Sequence, residues 1–472
     1  MSESSKYRYA TAALGLLTIA GLLFFSQWFL MERMIYIDMA YHTFVIAQTK
    51  FFAIQNHRFG AAFSQVFPLV AIKLNLPLKS VLQLYSYSFY ICYLIYFIII
   101  VLVLRKEAMG IVLHLSLTLI TRCSFYWAQS EFPQGLSFLI LFLSVVLAYF
   151  SKDNITLTKV VAVWGMLVVV IFFHPLLVIP LIFSLIFSLI YFRISNRIDN
   201  RHTATLLVMG LFVILFKGIA FKTGNYESGK MNGLNNFVTL FPDYFTINST
   251  HFFVGELVGN YFGFALLFIG ISGFYLWNKY YTKLMWLVLS VFSYTLLINV
   301  CFPNLGKGTY LQNLHLPLTV FVALPFAFEI LPITKVRYWF PVLLLFVVCR
   351  LAVIYNSHTQ FSERFNYLKK LVALSHQYSG GKFWISDENI PSEYFDTWGL
   401  PYESLILSSI ESPDSATTIA LESNCGQNNI LAESQSIFIN PFWDNEIETL
   451  PADYFKLQSG KYRHISADGS PL

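Results

Sequence analysis

Long apolar stretches alternate with short polar segments over the first three quarters of the chain. Eleven of these stretches are long enough to predict transmembrane helices. They lie near 9–31, 81–104, 108–123, 135–151, 159–174, 176–192, 203–221, 252–277, 284–301, 315–333 and 338–355. Basic residues recur at every second junction, beginning with Lys6 and Arg8. Because short cytoplasmic loops retain basic residues, this alternation predicts a cytoplasmic N-terminus and a C-terminal part on the opposite side.

The distribution of charge divides the chain near residue 357. From Ser357 onward there are 7 basic and 15 acidic residues, a net charge of −8, whereas the preceding part holds 24 basic and 11 acidic residues, a net charge of +13. This contrast predicts a transmembrane domain over 1–356 and a soluble periplasmic domain over 357–472. In the tail we predict one helix over 363–378. We also predict short strands over 382–385, 404–407, 417–421 and 436–439.

Composition sets the class of protein. Hydrophobic residues make up 56% of the 472 residues and charged residues only 12%, about half the share in a soluble domain. We therefore predict an all-α polytopic membrane protein with a small extracytoplasmic α/β domain. The basic excess of the body is explained by loop anchoring, so nucleic-acid binding is not indicated. The five cysteines lack paired short spacing, so neither a zinc site nor a disulfide framework is predicted.

The segment 32–80 is too long and too aromatic for a simple connection between the first two spans. Apolar residues recur at roughly helical spacing from Ile37 to Phe52, which predicts a helix lying at the membrane surface. A second such helix is predicted over 61–74, ended by Pro77. Both helices would lie on the extracytoplasmic side, where the topology places all the long segments.

Acidic residues are scarce in the body, and two of them lie on the predicted extracytoplasmic face in aromatic surroundings. Asp38 follows the first span, and burial there would raise its pKa as a general base requires. Its alternative role is to cap the helix that begins at Met39. His42, four residues later, shares its helical face, and a local hydrogen bond is the alternative for this residue. Glu131 occupies the next extracytoplasmic loop, where plain loop polarity is its alternative.

Cations on the same face are candidates for binding a phosphate. Arg58 offers a guanidinium suited to bidentate contacts. The polar, glycine-punctuated segment 304–313 contains Lys307, Tyr310 and Gln312 just before a span. These three side chains are candidates to hold a phosphate or a sugar, and a hydrophilic turn is the alternative. The segment is not a nucleotide-binding loop, because the required register of glycine, lysine and hydroxyl residue is missing.

The chain resembles the GT-C superfamily of integral-membrane glycosyltransferases, which includes protein O-mannosyltransferases and aminoarabinose transferases. The resemblance rests on a long first loop with surface helices, many spans and a C-terminal domain, together with Asp38 after the first span and Ser130-Glu131 in the next loop. It implies an acid that acts on the acceptor, here Asp38, and a polyprenyl-phosphate sugar as donor. Arg58 and the Lys307 segment would suit the lipid phosphate, and Glu131 and His42 would shape the pocket for the acceptor and the sugar.

The chain departs from several branches of that superfamily. It lacks an Asp-x-Asp pair in the second loop, which argues against metal-dependent oligosaccharyl transfer, and Met39 replaces the acid that follows the first acid in O-mannosyltransferases. The expected enzyme is therefore an inverting, metal-independent glycosyltransferase without a cofactor in a bacterial inner membrane. Its acceptor would be a lipid, a glycan or a protein. The alternatives are a lipid-linked glycan flippase, a solute transporter or a glycan polymerase.

Overall fold

The computed structural model describes residues 3–128, 130–149, 156–194, 200–220, 229–230, 232–304, 308–378, 380–425, 435–442 and 445–465. These residues are mostly helical, and the strands lie near the C-terminus. The helices are α1 Glu3–Trp28, α2 Leu30–Met34, α3 Asp38–Thr49, α4 Ala62–Lys73, α5 Leu78–Ile98, α6 Glu107–Thr118, α7 Glu131–Tyr149, α8 Leu157–Ile171, α9 Val178–Ile194, α10 Asn200–Ala220, α11 Asn236–Thr239, α12 Asn248–Val258, α13 Phe262–Trp277, α14 Tyr281–Cys301, α15 Gly308–His315, α16 Leu318–Pro325, α17 Val336–Asn356, α18 Thr359–Ser375 and α19 Leu400–Ser409.

Several of these helices are long and apolar enough to cross a membrane. Within the described residues there are 6, or up to 7 if the bent pair α12 and α13, with an 80° angle between them, forms one span. Four further predicted spans coincide with apolar helices that are shorter than this criterion, over 107–118, 157–171, 175–191 and 204–216. The predicted count of about eleven spans is therefore not confirmed, because periodicity reveals an apolar segment but does not fix how much of it is one continuous helix.

Apolar side chains also cover the outside of the helical body. On α10, Leu207, Leu211 and Leu215 follow one another at intervals of one helical turn and are 56%, 57% and 58% exposed. Such a stripe is stable in contact with hydrocarbon, which needs no polar surface. The exposed apolar faces therefore support the assignment as a multi-pass membrane protein.

The two helices predicted between the first spans are present as α3 and α4. Helix α3 is buried on several sides, with Met39, Ala40 and Phe44 each fully shielded from solvent. Helix α4 packs against α5, and Tyr454 of the tail donates a hydrogen bond to the Leu76 carbonyl just beyond it. The segment is therefore an integral part of the core rather than a peripheral connection.

The C-terminal tail forms a small α/β unit. Strands β1 Lys382–Ile385, β2 Thr418–Leu421 and β5 Arg463–His464 form a parallel sheet in the order β2-β1-β5, and β3 Ile437–Phe438 pairs with β4 Asn445–Glu446 in antiparallel fashion. The predicted helix and the strands near 382, 417 and 436 are confirmed. The strand predicted over 404–407 is wrong, because these residues belong to α19.

The sequence analysis does not predict helix α19, because this helix is buried on all sides. Its residues from Leu400 to Ile406 are fully buried, so the apolar run carries no helical period. Pro401 occupies its first turn, where proline is favoured, and the Ser404 hydroxyl donates to the Leu400 carbonyl at 2.7 Å. The same helix packs across α3, which brings the tail against the segment that contains Asp38.

A buried ion pair fixes this junction. The guanidinium of Arg364 lies 2.9 Å and 3.0 Å from the two carboxylate oxygens of Glu403, and the two side chains are 3% and 0% exposed. Arg364 also donates to the Phe395 carbonyl at 2.9 Å. Such a pair is costly to break, since the remaining partner becomes an uncompensated buried charge.

We predict that Arg364→Met destabilises the protein by about 3–5 kcal/mol, because it leaves the Glu403 carboxylate buried without its cation. The free energy of unfolding is measured by titrating dodecyl sulfate into mixed micelles. Lys456→Met is the control, because Lys456 pairs with Asp414 at 2.9 Å on the tail surface, where ion pairs contribute little. Equal effects of the two substitutions would contradict the prediction.

Candidate functional site

Asp38 lies at the junction between the helical body and the tail. It is the first residue of α3, and its carboxylate oxygen Oδ2 accepts a hydrogen bond of 2.6 Å from the indole Nε1 of Trp127. Residue 37 is the N-cap of the helix and makes no side-chain capping bond. The carboxylate is therefore directed at the 122–128 segment, and the structure gives no support to the capping role.

The surroundings of Asp38 favour its protonated form. The pKa of Asp38 is raised to about 7, with burial as the largest cause and the nearby carboxylates of Glu131 and Asp396 acting in the same direction. The Trp127 hydrogen bond and the charge of Arg58 act in the opposite direction. A carboxyl group with this pKa can accept or release a proton near neutral pH.

Glu131 and Arg58 form an ion pair beside Asp38. The Arg58 Nη1 lies 3.0 Å from Glu131 Oε2, with 14% and 11% of the two side chains exposed. Sequence analysis places these two residues on the same face as Asp38, and in the structure both charges act on its carboxylate. It assigns Arg58 to a phosphate, however, whereas in this structure one guanidinium nitrogen faces Glu131.

His42 is buried on the same helix and is held by an amide. Its Nδ1 lies 3.1 Å from Nε2 of Gln65, whose Oε1 in turn accepts from the Ala53 amide at 2.8 Å. Burial lowers the pKa of His42 to about 4. The residue is therefore neutral at physiological pH, and its hydrogen bond matches the local role left open as its alternative.

Of the predicted residues in 304–313, only two lie within the described residues. Gln312 is 1% exposed, and its Oε1 accepts hydrogen bonds from the amides of Arg122 at 3.1 Å and Ser124 at 2.8 Å. It fixes the turn that leads to Trp127. Tyr310 places its ring 5.6 Å from that of Trp127, which brings it beside the site. Lys307 lies outside the described residues.

Several neighbours of Asp38 are not identified by the sequence analysis. Trp127 belongs to the aromatic run before Glu131, and only this run in the sequence could have indicated that Trp127 lies at the site. Lys230 lies 5.0 Å from the ring centroid of Tyr310 and supplies a cation on that side. Asp396 comes from the tail and has no signal in the local sequence, since only folding brings it near Asp38.

A small cavity of about 40 Å³ adjoins Trp127. Arg33 lines it, is 1% exposed and donates to the Phe125 carbonyl at 3.1 Å and to the Ser86 hydroxyl at 2.7 Å. Its guanidinium lies over the rings of Tyr90 and Phe125, and within the described residues no carboxylate pairs with it. In the sequence, Arg33 is recognisable only as a basic residue on the predicted extracytoplasmic side, where the alternation of basic loops predicts few basic residues.

Comparison with known proteins gives no assignment, since no family model, curated protein or solved structure matches the chain. Within the described ranges, no three histidine, cysteine, aspartate or glutamate side chains group as metal ligands would. The arrangement of Asp38 and its neighbours is therefore interpreted from its chemistry alone.

We predict that Asp38→Asn stabilises the protein more at pH 8 than at pH 5. The pKa of Asp38 is about 7 in the folded protein and 3.8 for the unperturbed group. The folded state therefore binds the proton more tightly, and the contribution of Asp38 to stability falls as pH rises from about 4 to about 7. Asparagine retains an oxygen for the Trp127 indole and does not ionise. Equal changes in the free energy of unfolding at both pH values would contradict the prediction.

Proposed function

We propose that the protein is an inverting glycosyltransferase that moves a sugar from a polyprenyl-phosphate donor to an acceptor at the extracytoplasmic face of a bacterial inner membrane. The observation that supports it best is Asp38, a buried carboxyl group with a pKa of about 7 whose partner Trp127 lines a small cavity together with the buried Arg33. A carboxyl group that titrates near neutral pH suits the general base of such a reaction, and a buried guanidinium suits its phosphate group.

In the proposed reaction, Asp38 accepts the proton of the acceptor hydroxyl. The hydroxyl oxygen forms a bond to the anomeric carbon, and the bond from that carbon to the phosphate oxygen breaks. The electron pair leaves with the polyprenyl phosphate, whose negative charge is stabilised by nearby cations. Attack opposite to the leaving group inverts the anomeric configuration. No resident metal is required for these steps, because the leaving phosphate can be stabilised by guanidinium groups.

Two arginines, Arg33 and Arg58, are the candidates to bind the donor phosphate in this proposal. Arg58 is close enough to Asp38 to influence its pKa, although Glu131 also contacts it. Arg33 lines a small cavity together with Trp127, the hydrogen-bond partner of Asp38, which supplies a second guanidinium near the site.

We predict that Asp38→Asn lowers the rate of sugar transfer by about 10²–10⁴-fold, the usual contribution of a general base. The assay uses proteoliposomes with a panel of ³²P-labelled undecaprenyl-phosphate hexoses and extracted membranes as acceptor source, and it measures released undecaprenyl phosphate. Asp243→Asn is the control, because Asp243 is an exposed acid in another loop. Full activity of Asp38→Asn would exclude the mechanism. Uptake of a solute or flipping of the donor without release would favour the transporter or flippase alternatives.

We also predict that kcat/KM rises with pH and levels off above about 7. The base must be ionised to accept a proton, and the pKa of Asp38 is raised to about 7 by its burial. The pH dependence of kcat/KM reports the free enzyme. The same donor assay measures it between pH 5 and pH 9. A rate that is independent of pH across 6–8 would contradict the role of Asp38 as base.

A further inference from the structure

The residue directly before Asp38 has an unusual backbone conformation. Ile37 has φ 35° and ψ −97°. A β-branched residue disfavours positive φ because its side chain approaches the neighbouring backbone. Such conformations persist only where the surrounding structure imposes them, and they cluster at functional sites. The peptide between residues 37 and 38 sets the direction in which Asp38 enters α3.

The tail imposes this conformation through a buried carboxylate. The Ile37 amide donates to Glu403 Oε1 at 2.5 Å. The same carboxylate accepts from Arg364, and the Tyr394 hydroxyl donates to its Oε2. Glu403 is fully buried. Its two oxygens therefore join the tail to the backbone immediately ahead of Asp38.

Close approach of a glycine completes the arrangement. A Cβ on Gly399 would lie 2.9 Å from Ile37 Cα and 3.3 Å from Glu403 Oε1. The first distance is shorter than side chains tolerate, so this position requires glycine. One residue before Ile37, the Tyr36 hydroxyl donates to Asp396 Oδ2 at 2.9 Å. Two consecutive residues ahead of Asp38 are thus held by the tail.

We infer that Glu403 and Gly399 are positioning residues that hold Ile37 in its disfavoured conformation and so direct the Asp38 carboxylate at Trp127. This inference rests on the proposed function and deepens it, because it makes the tail part of the catalytic machinery. Neither residue touches the reacting atoms in this arrangement. Docking of the tail alone would not require a disfavoured conformation at Ile37, since the neighbouring aromatic contacts already join the two parts.

The ionisation of Asp38 reports its position. The segments packed against Asp38 carry several charged and titratable groups that interact electrostatically with its carboxylate. These groups are Arg58, Glu131, Asp396, Tyr36, Tyr41 and Tyr85. Burial has the largest effect, so a carboxylate that turns toward solvent titrates at lower pH. The fluorescence of Trp127, whose indole donates to Asp38, follows this titration. The contribution of Trp127 is isolated by subtracting the fluorescence of the same protein carrying Trp127→Phe.

The test compares Gly399→Ala and Glu403→Gln with Ser408→Ala. Gly399→Ala places a methyl group too close to the Ile37 backbone, and Glu403→Gln leaves a single acceptor oxygen for three donors, so the Ile37 amide is no longer held securely. Ser408 is the control, because it lies buried on the same helix and bonds the Thr417 amide at 2.8 Å without contacting Ile37. Folding of each variant is verified by gel filtration in detergent.

In both test variants we expect the pKa of Asp38, followed by Trp127 fluorescence, to lie below about 6, against about 7 for the natural protein. We expect kcat for undecaprenyl-phosphate hexoses to fall by about 100-fold, as for a misplacement of about 1 Å, with KM for the donor within about threefold. Ser408→Ala is expected to leave the titration and kcat within about twofold, since additivity holds for sites without shared partners.

An unchanged Trp127 titration in Gly399→Ala would overturn the inference, whatever the loss of stability. If Gly399→Ala does not fold, Glu403→Gln decides in the same way. An equal titration shift in Ser408→Ala would also overturn it, because the effect would then be a general consequence of loosening the tail. If no donor is turned over by the natural protein, the proposed function fails, while the titration still decides whether the tail positions Asp38.

Discussion

The contact between Glu403 and the Ile37 amide is the constraint on which the geometry of the site depends. It joins a helix of the tail to the first peptide of α3, and it does so in a place shielded from water. A buried carboxylate is stable only when its oxygens are fully satisfied, and here Arg364, Tyr394 and the Ile37 amide satisfy them. The demand of one carboxylate for donors thus fixes a backbone conformation that the chain would otherwise avoid.

The aromatic contacts around this conformation are large enough to offset its cost. A residue in a sparsely populated region loses about 1–3 kcal/mol. On the same helix, Tyr41 and Phe44 pack against the tail rings of Tyr402 and Phe438, with centroid distances of 5.2–5.3 Å. Aromatic pairs contribute about 0.5–1.5 kcal/mol each beyond their buried area. Three such pairs are therefore of the same order as the strain at Ile37.

Sequence analysis identifies the elements near the site better than it identifies their partners. Helices α3 and α4 follow from apolar periodicity, and Asp38 and Glu131 follow from the scarcity of acids. Local patterns do not reveal that Arg58 pairs with Glu131, or that Trp127 donates to Asp38, because these contacts join segments distant in sequence. The span count is not confirmed for a related reason, since an apolar run of 12 residues such as α6 satisfies the same pattern as part of a longer span. Residues 404–407, which belong to α19, are wrongly predicted as a strand because burial on all sides removes the helical period.

The position of Asp38 also explains why its chemistry would require both parts of the chain. The body supplies Trp127, Glu131 and Arg58, and the tail supplies Asp396 and the carboxylate of Glu403. Burial alone would make Asp38 a neutral residue with a raised pKa, whereas the Trp127 hydrogen bond and Arg58 restrain that rise. A carboxyl group that titrates near neutral pH therefore results from opposing effects contributed by different segments. Neither segment alone provides this balance, so a catalytic role for Asp38 implies that the tail is docked when the reaction occurs.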